Sequence, residues 1–209
     1  MSSDAVSAFL LEQDLSMSIG TREVPAPNAD EVLIAVEWAG LCGSDLHVMR
    51  TGAWVTSWPA TLGHEIYGRV VRAPEGTGLI SGDGVVVDSR IPCGTCPECT
   101  SGTPSRCHQI KFVGEACPGG FAERCLLPAT MLTIVPGELE GSTAVLAEPL
   151  AVVLHGLSHL VAEPRRAAIL GHGPVGALVH AELRRCHPDT EVDVAEPAPL
   201  RSSLAGAFG

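Results

Sequence analysis

The chain has 209 residues, enough for one large domain or two small ones. At 45% hydrophobic and 18% charged residues it is a folding sequence, not a disordered one. A net charge of −11, with no basic cluster beyond pairs such as Arg165-Arg166 and Arg184-Arg185, argues against nucleic acid and anionic membrane as partners.

The first residues, MSSDAVSAFLLEQDLS, are interrupted by Asp4, Glu12 and Asp14 and lack a basic leader, so no signal peptide is expected. No apolar stretch approaches the ~20 residues of a membrane helix, and the cytoplasm is the expected compartment. Up to about residue 145 the chain is rich in Gly and Pro between short β-rich runs. These are Glu31–Trp38, Ile66–Val71, Gly84–Val87, Ala122–Leu127 and Leu132–Val135, and their spacing predicts an irregular β-barrel or sandwich. The texture then changes. Ala144–Leu160 reads as a helix apart from Pro149, and Ala167–Leu170, a glycine turn, a helix after Pro174 and Glu191–Ala195 outline a β-α-β unit. A mean hydropathy of +0.25 is high for a soluble domain and predicts apolar surface that meets a partner.

Three features carry chemistry. Cys93, Cys96, Cys99 and Cys107 place four thiolates close enough to surround one tetrahedral Zn²⁺, with two disulfides as the alternative. A closed four-Cys site leaves no open coordination position and is structural. Cys42, His64, Glu65 and Glu148 are all good Zn²⁺ ligands on distant loops, which suits a catalytic metal. Taken singly, each also reads as a packed or solvated side chain. Gly171, Gly173, Pro174, Val175 and Gly176 belong to a GxGxxG turn between a strand and a helix, a dinucleotide fingerprint with pyrophosphate at the helix N-terminus. Glu196 stands at the end of the second strand, where a carboxylate takes ribose hydroxyls and favours NAD; Arg201 nearby is suited instead to a 2′-phosphate. Trp54 and Trp58 either line a substrate pocket or pack.

Six motifs occur in one order: Cys42-Gly43-Ser44-Asp45-Leu46-His47, Gly63-His64-Glu65, the four-Cys loop, Gly119-Gly120-Phe121-Ala122-Glu123, Glu148-Pro149-Leu150 and the glycine turn. In this order the chain resembles the zinc-dependent medium-chain dehydrogenases. Its Glu148-Pro149-Leu150-Ala151 segment is most similar to their polyol and threonine dehydrogenase branch.

The resemblance implies a mixed β and α/β fold. A GroES-like irregular β-barrel catalytic domain would span residues 1–146. A connecting helix and the start of a Rossmann NAD-binding domain would span 147–209. It implies hydride transfer from a secondary alcohol or polyol to NAD(P)⁺. Two Zn²⁺ per chain are implied: a catalytic ion on Cys42, His64, Glu65 and Glu148, and a structural one on the four-Cys loop. Ser44 would accept the substrate proton, His47 would pass it to solvent, and Asp45 would orient His64. The expected partners are a small-molecule alcohol and further copies of the chain, as a dimer or tetramer. Only two strands of a six-stranded cofactor fold are present, with their apolar faces expected to lie open. The alternatives to turnover are a catalytically inactive zinc-binding protein and a fragment completed by a partner chain.

Overall fold

A computed structural model of the protein describes residues 4–208. The chain divides into two compact units, the first ending at Glu148 and the second beginning at Pro149.

The first unit opens with β1 (Asp4–Leu11) and β2 (Met17–Val24), an antiparallel hairpin in register from Asp4↔Val24 to Leu11↔Met17. Neither strand is among the β-rich runs singled out in the sequence. The turn is held by Asp14, whose carboxylate accepts the Ser16 N–H at 2.9 Å.

Next come β3 (Glu31–Gly40), α1 (Gly43–Thr51), β4 (Glu65–Arg72) and β5 (Gly84–Val87). They are followed by β6 (Arg90–Ile91), the short helix α2 (Pro97–Thr100), β7 (Lys111–Phe112), β8 (Arg124–Pro128) and β9 (Leu132–Ile134). Five of these strands form an antiparallel sheet in the order β8-β3-β4-β5-β9, and β6 pairs separately with β7. The sheet's main core is aliphatic, with Val32, Ile34, Ile66, Val70, Val85 and Leu127 buried together. Val32, Leu33 and Ile34 are consecutive and all buried, so β3 is covered on both faces: Val32 and Ile34 lie in the main core, and Leu33 packs against Val6 and Val24 of the hairpin. A second cluster of Leu11, Val48, Ala60 and Leu62 anchors α1.

The helix expected over 144–160 is instead a 3₁₀ segment at Gly141–Leu146 followed by α3 (Ala147–Leu157). Pro149 does not break it, because it falls in the first turn, where the backbone N–H has no helical partner to lose.

In the second unit β10 (Arg166–Leu170) and β11 (Glu191–Ala195) pair in parallel, with α4 (Pro174–Cys186) crossing between them; α5 (Pro199–Ala205) follows. Leu170 is exposed at the end of β10, while Ile169 beside it is buried; Val161, in the loop before β10, and Leu200, on α5, are exposed as well. Among the described residues no helix is long and apolar enough to cross a membrane.

Candidate metal centre and cavity

Cys42 caps the N-terminus of α1. Asp45, three residues on, accepts the Cys42 N–H through Oδ2 at 2.9 Å, the reciprocal half of a capping box in which Cys takes the usual Ser or Thr place. The other Asp45 oxygen accepts the Gly63 N–H at 3.2 Å and lies 3.5 Å from His64 Nδ1. One buried carboxylate thus ties the start of α1 to the loop before β4 and aligns the imidazole between them. Burial opposes charge on His64, but the hydrogen bond and charge of Asp45, helped by Cys42, outweigh it and hold the pKa up at about 9.

The ligand atoms of Cys42, His64 and Glu65 all lie within 4.8 Å of one another. Glu65 opens β4 opposite Gly40 in the register of β3. A Cβ at Gly40 would collide with the Glu65 carboxylate, so glycine is what lets that carboxylate pass the strand and reach the cluster. The sulfur, nitrogen and oxygen set at this spacing fits Zn²⁺, with bonds of about 2.0–2.3 Å. Glu148 stands apart from this group of three. Its Oε1 accepts the Ser89 hydroxyl at 3.0 Å, and its charge adds to the burial that pushes the Glu65 carboxyl up, while His64 draws it down.

A cavity of about 550 Å³ opens beside the cluster, lined by His64, Ser44, Glu148, Trp54 and Thr56, and by Ile110, Lys111, Phe112, Glu115 and Ala116. Ser44 and His47 are three residues apart on α1 and therefore share a face. His47 is exposed, its ring 5.0 Å from that of Trp54. The two tryptophans divide: Trp54 lines the cavity, whereas Trp58 packs against the cluster around Leu11 and Val48. Sequence reasoning did not find Lys111 or Glu115. Burial pushes the Glu115 carboxyl up, with His64 drawing it down and Asp45 adding to the rise.

The lobe between β6 and β7 brings the Sγ atoms of Cys93, Cys96, Cys99 and Cys107 within 4.8 Å of one another. Cys96 and Cys99 are 3.4 Å apart and Cys93 and Cys99 4.0 Å, far beyond a bonded S–S pair and close to the roughly 3.8 Å edge of a tetrahedron with 2.3 Å Zn–S bonds. Backbone N–H groups point at the sulfurs: Cys96 at Cys93, and Cys93 and Gln109 at Cys107, each at 3.3 Å. Hydrogen bonds from Thr95 and Cys96 draw the Cys93 thiol down to about 6, whereas Cys96 and Cys99, desolvated and crowded by the other thiols, are pushed up. None of the eight cysteines is joined to another by an S–S bond, so the four thiols of the lobe stand as separate donors.

In the second unit Gly171 has φ 96, and a Cβ at Gly176 would collide with the Gly171 carbonyl, so the turn and α4 approach as only glycines permit. Pro174 is the first residue of α4 and Val175 is exposed on it. A Cβ at Gly173 would meet nothing, leaving open space over the helix N-terminus. Glu196 is turned inward. Its carboxylate accepts the N–H groups of His172 and Ala198, both at 2.8 Å, and pairs with Arg201 at 2.9 Å. Arg201, then Ala198 and His172, pull its pKa down to about 2.

Residues 28–137 match the family model described as the alcohol dehydrogenase GroES-like domain. The chain is 37% identical over 188 residues to the 2-dehydro-3-deoxy-L-galactonate 5-dehydrogenase of Pseudoalteromonas atlantica, covering 88% of this chain and 54% of that protein. It is 31% identical over 210 residues to the sorbitol dehydrogenase of Bacillus subtilis, covering 98% and 59%. The crystal structure of the short chain alcohol dehydrogenase rspB from E. coli CFT073 complexed with NADH matches with a TM-score of 0.87 and 30% identity, over 98% of this chain and 60% of that one. The chain therefore spans between about half and three fifths of the length of these relatives.

Proposed function

Because the chain belongs to the zinc-dependent medium-chain dehydrogenase family, we propose that it is the zinc-binding and early cofactor-binding part of an enzyme that moves a hydride from a secondary alcohol or polyol to NAD⁺. In this reading the first unit is the catalytic domain and the second the start of a dinucleotide-binding domain. The observation that carries it is the convergence of Cys42, His64 and Glu65 beside a cavity into which Ser44 opens.

Cys42, His64 and Glu65 would hold the catalytic Zn²⁺, with Glu148 in reserve on the same cavity, tethered by Ser89. When bound, that ion supplies Lewis-acid polarisation of the substrate hydroxyl and lowers its pKa. Asp45 keeps His64 in one orientation by holding its Nδ1 side, the common task of a carboxylate behind a metal-binding imidazole. The Ser44 hydroxyl takes the substrate proton, and the exposed His47 imidazole on the same face of α1 delivers it to water. Trp54 walls the cavity. A second Zn²⁺ on the four cysteines would be structural.

Nicotinamide dinucleotide would lay its pyrophosphate on the open N-terminus of α4. NAD is favoured over NADP because the Glu196 carboxylate holds Arg201, the nearby cation that a 2′-phosphate would need. Eight unpaired cysteines fit a reducing compartment, the cytoplasm. The exposed apolar side chains Leu170, Val152 and Leu200 support assembly as a dimer or tetramer.

Metal analysis and calorimetric titration with NAD⁺ on the purified chain test this reading. Two zincs per chain, together with NAD⁺ binding that is lost on substituting Gly173 by Val, are the expected result. A chain holding only the four-Cys metal and binding no cofactor would overturn it.

A further inference from the structure

Lys111 is the only lysine in the chain, against 24 acidic residues. It sits on β7, lines the cavity and is exposed. Among the described residues its side chain makes no hydrogen bond and no ion pair, although Glu115 lies four residues on along the same wall. The other nitrogen base in the lining, His64, belongs to the proposed metal centre and is turned to Asp45. Hydroxyl groups of a neutral polyol would find acceptors in Glu115 and Glu148, and need no ammonium. An exposed ammonium with no carboxylate partner on the wall of such a cavity is free to pair with a negative charge that the ligand brings.

Resting on the dehydrogenase reading above, we propose that the substrate is an acidic secondary alcohol, a chain of hydroxyl-bearing carbons ending in a carboxylate or a phosphate, and that Lys111 selects it by pairing with that terminus. The ammonium is a point charge on a flexible stem, able to meet either anion. Because the group is exposed, the attraction is screened by salt and amounts to selectivity, not to the bulk of binding. Lys111 takes no part in the proton path through Ser44 and His47.

The test compares three ligands of one carbon skeleton on the zinc-loaded chain: sorbitol, gluconate and sorbitol 6-phosphate. Dissociation constants are measured by NMR titration for the wild type, Lys111→Met and Lys111→Arg. The expected result is that at least one anion binds about tenfold tighter than sorbitol, a charge-assisted pair being worth that much. This advantage should shrink as ionic strength rises, vanish in Lys111→Met and persist in Lys111→Arg, while sorbitol binds alike to all three proteins. Whichever anion wins identifies the terminus as carboxylate or phosphate. If sorbitol binds and neither anion is favoured, or the advantage survives in Lys111→Met, the proposal is overturned and the dehydrogenase reading stands. If none of the three binds, the dehydrogenase reading fails and this inference falls with it.

Discussion

Ile91 on β6 pairs with Lys111 on β7, and the chain that leaves one and returns to the other carries all four cysteines of the lobe. The lobe is therefore clipped to the cavity: Ile110, Lys111 and Phe112, which begin three residues after Cys107, form part of its wall. A metal in the lobe would hold that wall in place. Substituting Cys99 by Ser should reduce bound zinc from two to one per chain and lower Tm on the order of 10 °C, since a structural zinc contributes folding free energy directly. Metal analysis with thermal denaturation checks this. An unchanged Tm at one zinc would show that the lobe does not brace the unit.

Asp45 touches three things at once: the Cys42 N–H, the Gly63 N–H and the His64 imidazole. Asp45→Asn keeps the shape but supplies only one acceptor oxygen, so zinc affinity at the Cys42 centre should fall 10- to 100-fold, with the four-Cys centre untouched. Competition with a chelator, read as two separate release steps, measures it. Asp45→Ala should also destabilise the unit by about 1–3 kcal/mol, because two backbone donors lose their partner in a buried place.

Gly40→Ala would place a methyl group where the Glu65 carboxylate passes. Either β3 shifts or the carboxylate leaves the cluster, at a cost of about 1–3 kcal/mol. The expected outcome is weaker metal binding at the Cys42 centre with the hairpin and sheet retained, measured by zinc titration and circular dichroism. Wild-type affinity in this variant would mean either that β3 yields around the methyl group or that Glu65 contributes nothing to the centre.

Glu196 has its pKa drawn from the ordinary 4.5 down to about 2 by Arg201, Ala198 and His172. A carboxylate depressed in the folded state stabilises it fully above pH 4.5, and this contribution is lost as pH falls from there towards 2. Hydrogen exchange in residues 171–198, followed from pH 5 to 2.5, should therefore accelerate beyond its intrinsic pH trend, and Glu196→Gln should flatten that change. The same acceleration in the variant would assign the pH dependence to another group.

Local spacing made a good part of this site legible. Cys42, Ser44, Asp45 and His47 fall within six residues of one helix start, and cap geometry, like the 3.6-residue period, follows from local sequence. The four-Cys loop was legible for the same reason. The hairpin of β1 and β2 was missed because Met17–Val24 is exposed along most of its length and shows no apolar alternation. The Gly119–Glu123 motif stood out in the sequence without a role. Its backbone buttresses the loop that carries His64: Gly119 bonds to Thr61, Gly120 to Gly63 and Phe121 to Leu62.

The residues alone thus determined that four cysteines cluster in one lobe and where the glycine turn lies, because each is written in contacts a few positions apart. Only the tertiary structure decided which distant groups share the cavity. The meeting of Gly40 with Glu65 depends on a β3–β4 register carrying two irregularities, and a slip of one residue would turn Glu65 to the opposite face. The same long-range pairing separates Trp54 from Trp58, ties Glu148 to Ser89 and, through β6 and β7, carries Lys111 to the wall. Spacing along a chain does not encode such meetings; the sheet's hydrogen bonds and the buried core create them.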